Sequence, residues 1–535
     1  MILQMRFLSL RLLVAVLGVA ALPSASAQTA SSLSGCGDVT ALQAKATSSP
    51  QNLEALVKLG EAQLCLGRAQ KSKTLLNAAQ DTLENATNLD PKNFNARFLL
   101  GQVYYELGDM DAAIVEYTRL TKLFPERADG FYQLGVVQAR IKKTDEAIAA
   151  FNSAAQLAKA AKLEVGFQRD VNVALAGQLL IKRDFSGAAA AFNNAQEFAP
   201  NDLGLQISEA QALFDAGRNA DARDAATQIL AKNRGNVAAA WLLASTFEND
   251  KAYDRAVREL NRSLALVTAP KDRAVLLLKR GTIELTQGKT ELALETLRQA
   301  VAGDGILFEA RYAYGTALLS GTTPNAKAAL EQFKAANILR PDDGDVQLGL
   351  ANAQSQLGNH LAAYQNAQAA IRLLIADPTR VATARFVAGR SAYLGALKST
   401  GSSQTDLLRK ATIEFRALIV LDAANAQYRY WLGLTLLQRK DYTPAIESLI
   451  EAVKLSPNDL EIRVALTAAY IGAKRFADAE TVARSVVKAA PNNSDAWFNL
   501  GLAMLNQGKT AEGKKALQAA AKLGNQAAKN LLAKL

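Results

Sequence analysis

Across 535 residues there is one histidine, His360, and there are two cysteines, Cys36 and Cys65. A histidine relay, or a metal site built from several imidazoles, has a single residue to draw on. His360 follows Gly358-Asn359, a turn signal between two helical stretches, and reads as an exposed turn residue rather than a catalytic base. The densest acidic run, Asp342-Asp343-Gly344-Asp345, resembles part of a calcium loop but lacks the spaced ligands and the closing Glu. It fits better as a turn whose carboxylates cap a helix. There is no G-x-x-x-x-G-K-[ST] phosphate loop and no G-x-S-x-G nucleophile elbow. The sequence offers no catalytic residue, no metal site and no cofactor site, and it points away from an enzyme.

What the cysteines can do depends on the compartment. Arg6 and Arg11 precede the apolar run Leu12–Leu22, and Pro23 and the small residues Ala25-Ser26-Ala27 come after it. This is the layout of a secretory signal peptide over residues 1–27, with cleavage after Ala27. An uncleaved anchor competes less well, because the run is about half the ~20 residues a spanning helix needs. The expectation is a protein exported to a bacterial periplasm or cell envelope, where membrane contact comes only peripherally, through partners. In an oxidising compartment Cys36 and Cys65 favour a disulfide that staples the first helix to the helical segment carrying Cys65. Free redox thiols are the weaker alternative, lacking C-x-x-C spacing and a nearby histidine.

The rest of the chain repeats itself with a period close to 34. Leu99–Pro125 (LLGQVYYELGDMDAAIVEYTRLTKLFP) matches Gln133–Lys159, and later units include Trp431–Pro457 and Trp497–Leu523. Each unit places Gly or Ala in a first helix (Gly101, Gly135, Gly433, Gly501) and a small residue in a second (Ala113, Ala147, Ala445). A bulky residue comes four positions later, as in Tyr117, Phe151, Phe333 and Phe415. Small residues let helices cross closely; the bulky one fills the space between units. Gly67, Gly108, Gly217, Gly288, Gly358 and Gly508 read as left-handed ends of first helices, and Pro91, Pro125 and Pro457 as stops after second helices. The stretch Ser399–Thr405 (STGSSQT) reads as an inserted loop.

This pattern resembles the tetratricopeptide repeat, W-x2-L-G-x2-Y…A-x3-F…P, over nearly the whole chain. The resemblance implies an all-α helix–turn–helix solenoid, a right-handed superhelix of about 13 repeats with capping helices at its ends. It divides the chain into a signal peptide over 1–27, an N-terminal segment and capping helix over 28–50, repeats over 51–523, and a C-terminal capping helix over 524–535. Members of the family line a concave groove with their first helices. Three residues before each small first-helix marker stand Val57, Phe98, Tyr132, Val173, Ile207, Trp241, Leu278, Tyr312, Leu348, Phe386, Tyr430, Val464 and Phe498. All are apolar and seven are aromatic, in a chain that is 6% aromatic. Tyr105 and Tyr393 lie farther along the same face.

Two readings of this stripe stand side by side: packing between neighbouring first helices, and a partner-binding groove for an extended peptide or amphipathic helix. Groove candidates are Phe98, Tyr105, Tyr132, Trp241, Tyr312, Phe386, Tyr393, Tyr430 and Phe498. Relatives that clamp a C-terminal carboxylate carry Lys and Asn at such sites; Val57, Phe98 and Tyr132 do not support that use. The net charge of +11 and pI near 9.4 come from Lys and Arg interspersed with Asp and Glu, and export argues against nucleic acid as a partner. The expected role is a non-enzymatic protein–protein interaction scaffold whose partners are other envelope proteins. The alternatives are an accessory scaffold for exopolysaccharide export or for pilus or outer-membrane assembly, and a solenoid that binds anionic envelope polysaccharide.

Overall fold

The computed structural model describes residues 36–321 and 323–535; the segment read as a signal peptide lies outside the described residues. Those residues form 28 helices and no strand. Helix α1 (Val39–Ser48) and helix α28 (Gln526–Leu532) stand alone at the two ends. Between them run thirteen pairs, from α2 (Leu53–Gln70) with α3 (Lys73–Leu89) to α26 (Ser494–Leu505) with α27 (Thr510–Lys522). Contacts divide the chain after Gln287 into two units, and each is described by itself. Among the described residues no helix is long and apolar enough to cross a membrane.

Local sequence sets where each helix starts and stops. Asn93 and Asp109 cap α4 (Phe94–Leu107) and α5 (Met110–Leu123), their side chains accepting from Ala96 N and Ala112 N. Asp343 caps α18 (Gly344–Gln356) in the same way, accepting from the amides of Asp345 and Val346. The acidic run is therefore a capped turn, and no cluster of potential metal ligands exists among the described residues. Gly108, Gly217, Gly288, Gly358 and Gly508 have positive φ, and at the equivalent turns Lys71, Lys142, Arg183, Lys251, Lys440 and Lys474 adopt it instead. A cation there faces the negative end of the helix dipole, which offsets part of the left-handed strain.

Packing obeys the small-against-bulky rule. Tyr117, Phe151, Phe333 and Phe415 are fully buried. A Cβ on Gly101 would lie 2.7 Å from Tyr117 Cζ, so the glycine is what lets the ring cross α4. Ion pairs made by a buried carboxylate add a second tie between the helices of a pair. Arg97 on α4 meets Glu116 on α5 at 2.5 Å, and Arg385 on α20 (Pro378–Leu397) meets Glu414 on α21 (Gly401–Leu421) at 2.7 Å. The Cys36 and Cys65 sulfurs are bonded, with Cα atoms 5.4 Å apart, and tie the segment ahead of α1 to the second half of α2.

Three local expectations are corrected. Gly67 does not end α2, which runs on to Gln70 with Lys71 as the left-handed residue. Its hydrogen is needed for packing instead, because a Cβ there would meet Leu76 Cδ2 at 2.8 Å. Of the stretch Ser399–Thr405 only Ser399 and Thr400 are loop. Helix α21 begins at Gly401, so the insertion lengthens helices rather than separating them. His360 is not an exposed turn residue: it opens α19 (His360–Leu373) half-buried, its Nδ1 buried without a partner. Burial, then the nearby Lys398 and Arg390, hold its pKa below the usual imidazole value.

Candidate partner-binding face

The aromatic stripe is built by repetition of one local geometry. A first helix presents an aromatic residue three positions before its small marker, and the bulky residue of the paired second helix rises beneath it. Phe98 meets Tyr117 with ring centroids 6.1 Å apart. Tyr132, on α6 (Ala128–Arg140), meets Phe151 on α7 (Thr144–Ala160) at 5.8 Å. In the second unit Tyr312, on α16 (Phe308–Ser320), meets Phe333 on α17 (Ala326–Leu339) at 5.9 Å. Phe386 meets Phe415 at 6.4 Å. Each of these four stripe rings thus rests its inner side on the core, worth roughly 0.5–1.5 kcal/mol per pair beyond area burial.

The outer side stays in reach of solvent. Phe98, Tyr105, Tyr132, Tyr312, Phe386, Tyr393, Tyr430 and Phe498 are all half-buried. Packing and presentation are therefore two sides of the same rings. Trp241 is a correction. On α12 (Val237–Asn249) it is only 5% exposed, because Lys279 from the next first helix, α14 (Pro270–Thr286), lies 5.0 Å over its ring. Lys279 is buried too and is held there by Glu248 at 2.6 Å. Trp241 belongs to the interior and is removed from the candidate face. Arg140 is exposed and Arg390 half-buried.

The face is densest in the second unit. Trp431 and Tyr428, on α22 (Ala426–Gln438), do not stand at the marker-minus-three position and so escape a search of the sequence by that position. Trp431 has centroid distances of 6.3 Å to Phe386, 5.6 Å to Tyr393 and 5.9 Å to Tyr430, with interplanar angles of 85°, 77° and 65°. It stacks on the buried Phe415 at 18°. Tyr428 lies 6.0 Å from Phe386. The repeat pattern does not point to Trp431 either: it asks for tryptophan four residues before the small marker, where Arg429 stands, whereas Trp431 is two residues before Gly433.

Electrostatics distinguish the tyrosines. The Tyr132 hydroxyl is pushed up to about 12, mainly by burial and then by Asp170, which stands in the first turns of the next first helix, α8 (Val165–Lys182). Tyr312 is raised by burial and then by Asp345 of α18. Tyr430 is raised by burial and then by Glu461 of α24 (Leu460–Gly472). At each of the three stripe tyrosines, a carboxylate of the next repeat helps to hold the hydroxyl protonated.

Family models for the tetratricopeptide repeat match residues 66–119, 207–272 and 409–459, residues 101–142, and residues 436–493 and 473–535. The chain belongs to the tetratricopeptide repeat family. Its helix pairs are the repeats of that family, and its first helices carry the aromatic face. No curated protein matches the sequence. Among solved structures the chain is similar to the APC/C hetero-tetramer Cut9-Hcn1, at 18% identity over 87% of this chain and 92% of that one, with a TM-score of 0.36. It is also similar to YrrB, described as a TPR protein with an unusual peptide-binding site, at 21% identity over 38% and 100%, TM-score 0.31. Pseudomonas aeruginosa pilF is similar at 16% identity over 43% and 97%, TM-score 0.34. At these scores none of the likenesses bears on what this chain binds.

Proposed function

We propose that this chain is a non-enzymatic interaction scaffold of the bacterial periplasm or cell envelope, and that it holds extended segments of partner proteins along the face of its first helices. Repeat solenoids use extended surfaces of this kind for binding. The observation that carries the reading is the row of half-buried aromatic rings, fixed from beneath by core rings and open above. Such rings give a partner rigid apolar area at small entropic cost. The signal-like N-terminus and the Cys36–Cys65 bond support an oxidising, exported setting. The test is affinity capture from envelope extracts with the wild-type protein and with Phe98→Ala/Tyr132→Ala, both checked for an unchanged helical melt. Loss of specific partners from the variant is expected. Identical partner sets would sink the claim that this face binds them.

A further inference from the structure

At one stripe position the chain hides its ring. Phe98, Tyr132, Tyr312 and Phe386 each stand against an aromatic ring of the core and stay half-buried. The second helix of Trp241's repeat offers the aliphatic Leu260 instead, and the indole takes a cation as its neighbour. Lys279 stands two residues before Gly281, the marker of the next first helix, and its Nζ lies 5.0 Å from the centre of the Trp241 ring. The ammonium is fixed by Glu248 at 2.6 Å. Glu248 follows Trp241 on the same helix, about two turns along.

This cover is held from one side and resisted from the other. The Lys279 side chain is 8% exposed and that of Glu248 is 25% exposed, so water reaches the carboxylate end of the pair. Burial strips the ammonium of most of its hydration, a cost that the carboxylate and the ring have to offset. The Trp241 Nε1 is buried and has no hydrogen-bond partner among the described residues. About one turn farther along the two first helices, the Ser245 and Thr282 hydroxyls donate back to the Trp241 and Lys279 carbonyls, at 2.9 and 2.8 Å. A buried donor left unpaired costs about as much as a hydrogen bond to a charged group returns. The closed arrangement therefore sits near balance, and the cover itself is a flexible lysine stem.

We propose that Lys279 is a strap over Trp241, and that a carboxylate on an extended partner segment draws it off Glu248 and opens the ring to the apolar side chains of that segment. The inference rests on the reading of the first-helix face as a binding surface. Charge identifies the occupant: the ammonium leaves one carboxylate only for another, because a cation left unpaired beside apolar surface is costly. Glu248, already in contact with water, rehydrates as the lysine leaves. The uncovered indole N–H meets backbone carbonyls of the segment and loses its penalty. The strap makes Trp241 a ring presented to acidic segments and withheld from neutral ones.

The test is fluorine NMR on the full chain carrying fluorotryptophan, which gives one signal for each of the 3 tryptophans. The Trp241 signal is the one lost in Trp241→Phe, and its exposure is read from the shift between light and heavy water. In the wild type that shift is expected to be small, and in Lys279→Ala large. Glu248→Gln should move the open-to-closed ratio about tenfold toward open, the loss of one hydrogen bond between charged groups. Two otherwise identical apolar peptides, with glutamate or glutamine at alternate positions, are then titrated into the wild type. The glutamate peptide is expected to move the Trp241 signal toward its Lys279→Ala position, and the glutamine peptide to leave it in place. A Trp241 as protected in Lys279→Ala as in the wild type, with an unchanged helical melt, overturns the strap. So does a glutamate peptide that moves the Trp431 signal and not that of Trp241, and in that case the aromatic face survives as the binding surface. No change in any signal with either peptide overturns both.

Discussion

Reducing the Cys36–Cys65 bond is expected to loosen one end of the protein and leave the rest untouched. The bond closes a loop of 29 residues in sequence. In the chain-entropy description a loop of that length is worth about 3.6 kcal/mol at 25 °C. The segment it holds has little else to keep it in place: α1 buries Ala46, with Val39 and Leu42 only partly covered by Leu56, Leu59 and their neighbours. In a repeat protein each unit contacts only those beside it, so the loss does not travel. Hydrogen exchange is the assay, run on oxidised protein and on Cys36→Ala/Cys65→Ala. The amides of α1 should exchange faster by up to about 400-fold, the conversion of 3.6 kcal/mol. Slow amides of α21, in the second unit, should keep their rates. Equal exchange of α1 in both proteins would refute the staple. Faster exchange throughout α21 would refute the local reading of repeat stability.

Three further outcomes are expected from packing and charge. Gly433→Ala places a Cβ 2.5 Å from Leu449 Cγ, which is fully buried, and should cost about 1–3 kcal/mol as an overpacked core; a denaturation midpoint equal to wild type would count against the close crossing. Lys440→Gly, at φ 65°, should stabilise by roughly 1 kcal/mol by relieving the left-handed strain, read from urea melts; destabilisation would show that the lysine's charge outweighs that strain. Glu480 is held down to about 2, first by the hydrogen bond from Lys509 and then by Arg484 and Gln507. Its folded value is depressed, so the stability it contributes is present above about 4.5 and is lost as pH falls toward 2. Glu480→Gln should flatten the acid limb of the melting temperature between those values, and an unchanged limb would discount the network.

Much of the architecture was legible because the repeat writes the same instruction many times. A small residue in one helix and a bulky one in the next, as at Gly101 and Tyr117, specify a crossing that no other periodicity imitates. Glycine was the ambiguous letter. Gly108 supplies a left-handed turn and Gly67 supplies room for Leu76, and only the fold separates the two uses. Ser and Thr misled at 399–405 for a related reason: they are weak breakers that a helix extended by its neighbours overrides. The aromatic stripe was found by position, but exposure was not written there. Trp241 and Tyr430 stand at the same place in their repeats, and a lysine thirty-eight positions downstream covers only the first. Ion pairing was hidden too: Asp345 and Glu461 stand at the same place in their repeats, and only Asp345 holds an ion pair, with Arg380 of the next first helix.

Helix α21 starts at Gly401, far ahead of its marker Ala411, whereas α7 starts at Thr144, just before Ala147. Those extra residues add about two turns, or about 10 Å, to one second helix. A row of near-identical units poses a problem of translation, because a ligand that fits one step fits the next almost as well and can slide. The long hairpin breaks that degeneracy. Two rings of the Trp431 group, Phe386 and Tyr393, stand on its first helix, so a periodic track gains a place that differs from its neighbours, where the proposed partner would find a fixed position.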